Sequence, residues 1–402
     1  MTGRRLRLAW VSPYLPEPAT TGGSIRQQEL ARALSASADV HLFARGELWE
    51  IPRLASDELS LFSSKWLGRD YLPAGPFRSN CPSRRVRNGS PRALYAALLS
   101  AHRQRAFDAV VVAHSWAAHG AAELGVPWLL DAHNIEARYF ADLARSRGIE
   151  GRANSEELLF LETFERRAWT DAGAVTCVSE GDAREIAGVR GSPVHVVGNG
   201  CHFPREVPAT DDARREGLLF VGSLTHAPNV DAVARAISFM PQLWVRFPRL
   251  TLTVVGGPVP RELDRAVAAL PQDHRAQVTL AGVVPHVAPF LARARAFVVP
   301  MRFGAGSSLK IAEAAAHGVP IVGTELGVRG FEFLPNRDYL QAETDEAFCE
   351  AISSALSGSA AIARIASEAR ERVRHLSWSA VGERFVALVR QVASDGPVGA
   401  GR

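Results

Sequence analysis

Lysine is nearly missing from this chain: Lys65 and Lys310 are the only two among 46 basic lysine and arginine side chains in 402 residues. Such a bias points to composition rather than function, yet it makes a lysine inside a helix-forming stretch worth weighing. Long apolar runs are missing too. No segment reaches the ~18 uninterrupted apolar residues of a membrane-spanning helix. The opening MTGRRLRLAWVSPYLP meets Pro13 and Tyr14 too soon for a secretory leader, so a cytoplasmic chain is expected. The cysteines, Cys81, Cys177, Cys201 and Cys349, show neither close pairing nor zinc-ligand spacing, which implies reduced thiols. Nor do aromatic and basic residues interleave as they would on a nucleic-acid surface, so no nucleic-acid partner is expected.

What is present is the composition of a folded enzyme-sized chain, 47% hydrophobic and 22% charged. Its length exceeds one ordinary core and suits two domains. The formal charge is only +4, but it is unevenly spread: Lys65 to Arg105 carries nine basic residues against the single acid Asp70. A basic face of this kind suits an anionic substrate or peripheral contact with an anionic membrane, and an arginine-rich solvated loop meets the same pattern.

Two halves share one grammar. LRLAWVS reads as a buried strand, IRQQELARALSAS as a helix and DVHLFA as a second strand. The alternation returns in RALYAALLSAHRQRAFDAVVVAH, GVPWLLDAH, and ELLFLETFERRAWTDAG followed by AVTCVS. Strands apolar throughout and separated by helices imply a parallel sheet covered on both faces. This first domain spans residues 1–203, and the polar, proline-bearing stretch 204–217 reads as a linker. A second doubly wound α/β domain follows over 218–376. A final helix over 377–395, with Val381, Phe385, Leu388 and Val389 apolar, must pack on something, and 396–402 reads as a frayed tail.

In open parallel sheets, ligands bind outside the carboxyl ends of the strands. Among the residues there are Gly22, Gly23, His114, His133, Asn134, Gly222, Ser223 and the segment FGAGSSLKIAEAAAHGVPIVGT from Phe303 to Thr324. In that segment, Gly304 and Gly306 allow unusual backbone angles, Ser307 or Ser308 suits a helix N-cap, and Gly318 with Pro320 ends the helix. A glycine loop feeding a helix N-terminus favours an anion such as phosphate, although loops of this kind are common. Lys310 lies one turn in, within reach of a phosphate. Glu313 lies roughly 7 to 8 Å from the helix start, about the span from the phosphates of a nucleoside diphosphate to its ribose hydroxyls. A merely exposed pair on the helix surface fits the pattern equally. Gly22 and Gly23 mark either a backbone approach to a ligand or a plain turn. His114 alone is as readily a hydrogen-bonding filler as a functional group. Asp131 and His133 lack companion ligands, so no metal is expected, and Glu136 has no assigned task.

The ordered series FVGS, PNVDA, VVG, LAGVV and VVPMRFGAGSSLKIAEAAAHGVPIVGT resembles the nucleotide-binding half of the family 4 glycosyltransferases. VSPYLPEPATTGGSIRQQELARAL, DAHNIEARY, CVSEGDA and VGNG are similar to its first half, so the resemblance covers nearly the whole chain. It implies the GT-B architecture, with two Rossmann-like domains facing a central cleft, an acceptor-side domain followed by a nucleotide-sugar domain, and a C-terminal helix packing back.

By the same resemblance, Glu313 would hold the donor ribose and His114 would point at the transferred sugar. The donor diphosphate would meet Gly22, Gly23, Arg302, Gly306, Ser307, Ser308 and Lys310. Gly222, Ser223, His133 and Asn134 would line the cleft. Two departures stand out. The family's first signature glutamate falls at Ala305, and the arginine and lysine common after the glycine of FVG are Ser223 and Pro228 here.

The expected activity is transfer of a sugar from a nucleoside-diphosphate sugar to a hydroxyl acceptor (glycan, lipid-linked glycan or small molecule), with retention and with no cofactor or metal beyond the co-substrate. A nucleotide-sugar 2-epimerase and a catalytically degenerate sugar-nucleotide binder share the architecture and remain alternatives. Acceptor-independent conversion would mark the first, and binding without turnover the second.

Overall fold

Every strand expected from an apolar run becomes a strand of one of two six-stranded, wholly parallel sheets. The computed structural model describes residues 4–16, 21–44, 83–89, 92–146, 148, 151–304 and 309–395. Its chain divides into two compact units, one formed by Met1–Gly198 with Ser379–Arg402 and the other by Asn199–Trp378.

In the first unit the strands are β1 (Leu6–Ser12), β2 (Ala38–Ala44), β3 (Ala109–Ala113), β4 (Trp128–Ala132), β5 (Ala174–Cys177) and β6 (His195–Val196). They lie in the order β2-β1-β3-β4-β5-β6. The helices are α1 (Gly22–Ser35), α2 (Arg84–Gly89), α3 (Arg92–Gln104), α4 (Glu136–Ser146), α5 (Arg152–Asp171) and α6 (Glu180–Arg190). β3 and β4 are buried at every residue, as strands covered on both faces must be. The strand order reverses between β1 and β3, so the loops leaving those two strands open at the place where such sheets take ligands.

The second unit holds β7 (Leu218–Val221), β8 (Leu252–Val255), β9 (Val278–Gly282), β10 (Ala296–Val299), β11 (Ile321–Gly323) and β12 (Leu340–Gln341). Its helices are α7 (Ala227–Arg246), α8 (Arg261–Ala268), α9 (Ala288–Arg293), α10 (Leu309–Ala316), α11 (Glu325–Val328), α12 (Asp345–Leu356) and α13 (Ala360–Arg372). The order β12-β11-β10-β7-β8-β9 is that of a dinucleotide-binding sheet and switches between β7 and β10. Alternation along the strands feeds two cores. Phe220, Val298 and Val322 pack with α7 and α12 on one face, whereas Leu219, Phe297 and Ile321 pack with α9, α10 and α13 on the other.

The last helix, α14 (Trp378–Asp395), returns to the first unit. Its fully buried Phe385 packs with Trp10 of β1 at 6.1 Å between ring centroids. A side chain at Gly382 would collide with Ala33 of α1, so glycine sets how closely these helices approach. Among the described residues no helix is long and apolar enough to cross a membrane. Cys177, Cys201 and Cys349 are free thiols.

Candidate functional site

In the first unit the polar groups gather at the switch point. β3 ends at Ala113, and His114 turns out of it with φ of 69°, a left-handed angle that a non-glycine residue adopts at a cost of order 1–3 kcal/mol. The turn presents both ring nitrogens to partners: Nε2 lies 2.8 Å from the Tyr14 hydroxyl, which follows β1, and Nδ1 lies 2.6 Å from Glu136 Oε1, at the start of α4. A carboxylate only accepts, so Nδ1 carries the proton and Nε2 accepts from the tyrosine. Burial raises the Tyr14 pKa, which keeps the phenol a donor.

Behind this pair lies a second layer. The His133 ring sits 4.0 Å from that of His114, centroid to centroid, and its Nε2 is 3.0 Å from Asp131 Oδ2. Asp131 also receives Arg26 through Nε at 3.0 Å and Nη2 at 2.6 Å, and the Thr176 hydroxyl at 2.8 Å. Burial acts to raise the Asp131 pKa, but the Arg26 charge and the His133 contact overcome it and hold the carboxyl well below its usual range. His133 is pushed down to about 3 by burial and by its neighbour His114, so it is neutral. Among the described residues its Nδ1 is a buried lone pair without a partner.

A third carboxylate, Glu165 of α5, supports the first layer from beneath. Its Oε1 accepts from the Ser115 hydroxyl at 3.0 Å and from the Glu136 backbone N–H at 2.8 Å, and its Oε2 accepts from the Ala137 N–H at 3.0 Å. Burial and the charge of Glu136 nevertheless push its pKa up to about 8.

Gly22 and Gly23 form the first turn of α1, where Thr21 and Ser24 cap each other's backbone. A side chain at Gly23 would collide with the Tyr14 hydroxyl and come within 3.4 Å of His133 Nδ1. The glycine therefore lets α1 start against the histidine layer. Asn134 is half-buried in the following loop.

In the second unit the strand ends crowd together through glycine. Gly256, at φ 143°, stands so close to the Gly222 carbonyl that any side chain would collide with it. A side chain at Gly222 would approach Asn229 Nδ2 to 2.8 Å. Asn229 donates to the Ser223 carbonyl at 2.9 Å and accepts from Lys310 Nζ at 2.6 Å. That ammonium also lies 4.7 Å from the centroid of the Phe220 ring. Lys310 is half-buried as a residue while its charged end is withdrawn from water, and this burial pushes its pKa down to about 7. No carboxylate pairs with it among the described residues.

Glu313, one turn along α10, accepts at Oε1 from both the backbone N–H of His202 at 3.1 Å and its Nδ1 at 3.0 Å. The second oxygen, Oε2, lies 3.9 Å from His317 Nδ1, which bonds the Glu313 carbonyl instead. Gly318, at φ 61°, ends the helix as its position in the sequence requires. Arg302 is an exposed side chain whose Nε bonds Asp231 at 2.9 Å, and the Ser223 hydroxyl meets that of Thr225 at 2.8 Å. Ala305, Gly306, Ser307 and Ser308 lie outside the described residues, as does most of the basic stretch from Lys65. No group of three potential ligands gathers to hold a metal ion among the described residues.

The structure brings together His114 and His133 in one unit, and Gly222, Ser223 and Lys310 in the other. Sequence reasoning missed Tyr14, Arg26, Glu165, His202 and Asn229, and left Glu136 without a task. One signal was available: Asp131 is the only charged residue in β3, β4 and β5.

Residues 21–200 match the family model described as glycosyl transferase 4-like domain, and residues 215–358 match that of glycosyl transferases group 1. No curated protein matches in sequence. Among solved structures, the chain is similar to sucrose-phosphate synthase from Thermosynechococcus elongatus, with 18% identity and a TM-score of 0.73 over 97% of this chain and 100% of that one. WaaG, a glycosyltransferase involved in lipopolysaccharide biosynthesis, gives 15% and 0.67 over 96% and 99%. Anabaena HepE in complex with UDP-glucose gives 14% and 0.67 over 96% and 100%. At these identities the likeness is one of fold.

Proposed function

Because the chain belongs to the glycosyltransferases of group 1 with a type 4-like first domain and has the GT-B fold, we propose that it moves a hexosyl group from a nucleoside-diphosphate sugar to a hydroxyl acceptor with retention. The observation that carries this reading is Lys310. Its ammonium is withdrawn from water at the carboxyl end of a nucleotide-type sheet and is met by an amide oxygen and an aromatic face. A diphosphate supplies the missing anion, and the same charge stabilises the diphosphate as it leaves.

Glu313, held at one oxygen by His202, offers its other oxygen to the ribose hydroxyls. We assign the transferred sugar to His114, whose ring is fixed by Tyr14 and Glu136. In the retaining course the leaving phosphate takes the proton of the incoming hydroxyl on the same face of the sugar. Lys310 then carries the charge stabilisation without a resident metal or cofactor. HepE was solved with UDP-glucose, which favours a uridine donor. The acceptor belongs to polysaccharide or glycoconjugate synthesis, and the basic stretch from Lys65 to Arg105 would suit an acceptor held at the cytoplasmic face of an anionic membrane.

The test is a panel of UDP-, GDP- and ADP-sugars read by thermal stabilisation and by release of nucleotide, followed by Lys310→Ala. The variant should weaken the nucleoside diphosphate more than the nucleoside. Equal weakening of both removes the phosphate role and with it the reading.

A further inference from the structure

The first residue of α4 carries the carboxylate that grips His114. The two backbone N–H groups that open the helix, those of Glu136 and Ala137, both point to Glu165, a buried residue of α5. The oxygen of Glu165 that takes the Glu136 N–H also takes the hydroxyl of Ser115, the residue after His114. One carboxyl group thus ties the residue after His114 to the backbone of Glu136. We propose that Glu165 is a positioning residue for the reaction, fixing the rotamer and proton location of His114 by setting the register between the end of β3 and the start of α4.

Three donors converge on the Glu165 carboxyl: the Ser115 hydroxyl and the backbone N–H groups of Glu136 and Ala137. His114 is held at an unusual backbone angle, so its ring direction depends on what anchors the turn. Removing Glu165 frees the first turn of α4 and the Ser115 hydroxyl together. Glu136 can then rotate, and the imidazole loses the acceptor that keeps its proton on Nδ1. A displacement of about 1 Å in a group that orients substrate costs on the order of 100-fold in turnover.

This inference rests on the reading that His114 faces the transferred sugar, and two measurements separate them. The first uses the full chain labelled with 15N-histidine: wild type should show His114 protonated on Nδ1, with Glu165→Ala showing a mixed or reversed tautomer and Glu165→Gln an intermediate pattern. A folded Glu165→Ala with His114 nitrogen shifts identical to wild type overturns the proposal. Should that variant fail to fold, unchanged shifts in both Glu165→Gln and Ser115→Ala overturn it. The second measures UDP release from UDP-glucose. Here Glu165→Gln should lower kcat about 10- to 100-fold while KM stays within about threefold, a split that mere loss of folded protein does not produce in active-site-titrated enzyme. A proportional rise in KM with kcat intact overturns the positioning role. Full turnover in His114→Ala would instead sink the reading of the site, leaving the nitrogen spectra to decide on Glu165 alone.

Discussion

Arg26 of α1 and Asp131 of β4 meet in the interior of the first unit along two bonds, with side chains 1% and 0% exposed. Arg26 also donates to the Gly198 carbonyl at 3.0 Å, tying α1, β4 and the end of the unit together. Replacing it by methionine keeps the bulk and strands the carboxylate. Loss of one partner from a buried pair costs about 3–5 kcal/mol. Urea unfolding of Arg26→Met should show a loss of this size, and a loss below about 1 kcal/mol would mean that water already reaches Asp131.

Acid should act through the same carboxyl. The folded pKa of Asp131 lies below its unfolded value of about 4, so its stabilisation is fully present above about pH 4. Below that, the unfolded chain binds a proton that the folded chain refuses, and stability falls as pH drops towards the folded value. Denaturation midpoints between pH 6 and pH 3 should decline in wild type and decline less in the Asp131→Asn variant.

Lys310 acts with the same sign in a higher pH window. Its folded pKa of about 7 lies below the ordinary lysine value of about 10.4, so raising the pH between these values favours the folded, ligand-free chain. A bound diphosphate favours the charged form and lifts the pKa. UDP binding at pH 8 should therefore take up a proton, visible in calorimetry as a dependence of binding heat on the buffer's ionisation enthalpy. Lys310→Met should abolish that dependence and weaken UDP about 10- to 100-fold, the worth of a charge-assisted bond.

The ribose role proposed for Glu313, whose Oε1 is held by His202, is tested apart from the phosphate role of Lys310. Wild type should bind UDP more tightly than its 2′,3′-dideoxy analogue, because the carboxylate loses its hydroxyl partners in the analogue. Glu313→Ala should bind both alike, measured by competition. Persistence of the preference in Glu313→Ala would move the ribose contact to another residue.

Gly256→Ala should destabilise the second unit by at least about 2 kcal/mol, because its backbone angle disfavours a side chain and the new methyl would press on the Gly222 carbonyl. Thermal unfolding that matches wild type would require the ends of β7 and β8 to spread at no cost.

Much of the architecture could be read directly. β3 is apolar along its length, and β4 at every position but Asp131, because both faces are covered, and Gly318 with Pro320 stopped α10 where the backbone turns left-handed. Strand ends pointed to His114 and His133, since a parallel sheet places its ligand loops there whatever the side chains, and the glycine loop leading into α10 pointed to Lys310. The partners of those groups were not legible. Glu136 lies 22 residues from His114, Asp131 lies 105 from Arg26, and Glu313 lies 111 from His202. Such pairs exist only once strand order and helix packing are set, and a weakly amphipathic α1 gave no warning that Arg26 and Gln27 face inward. Arg302 illustrates the converse: its place after β10 suggested phosphate, while Asp231 across the loop engages it.

The return of α14 to Trp10 and Ala33 has a consequence for how the molecule is made. The second unit is an insertion between two pieces of the first, so Asn199–Trp378 is synthesised before Phe385, which packs on Trp10 of β1. Until then Trp10 lacks its Phe385 neighbour. Stalled nascent chains ending short of Phe385 should be the ones that chaperones hold longest.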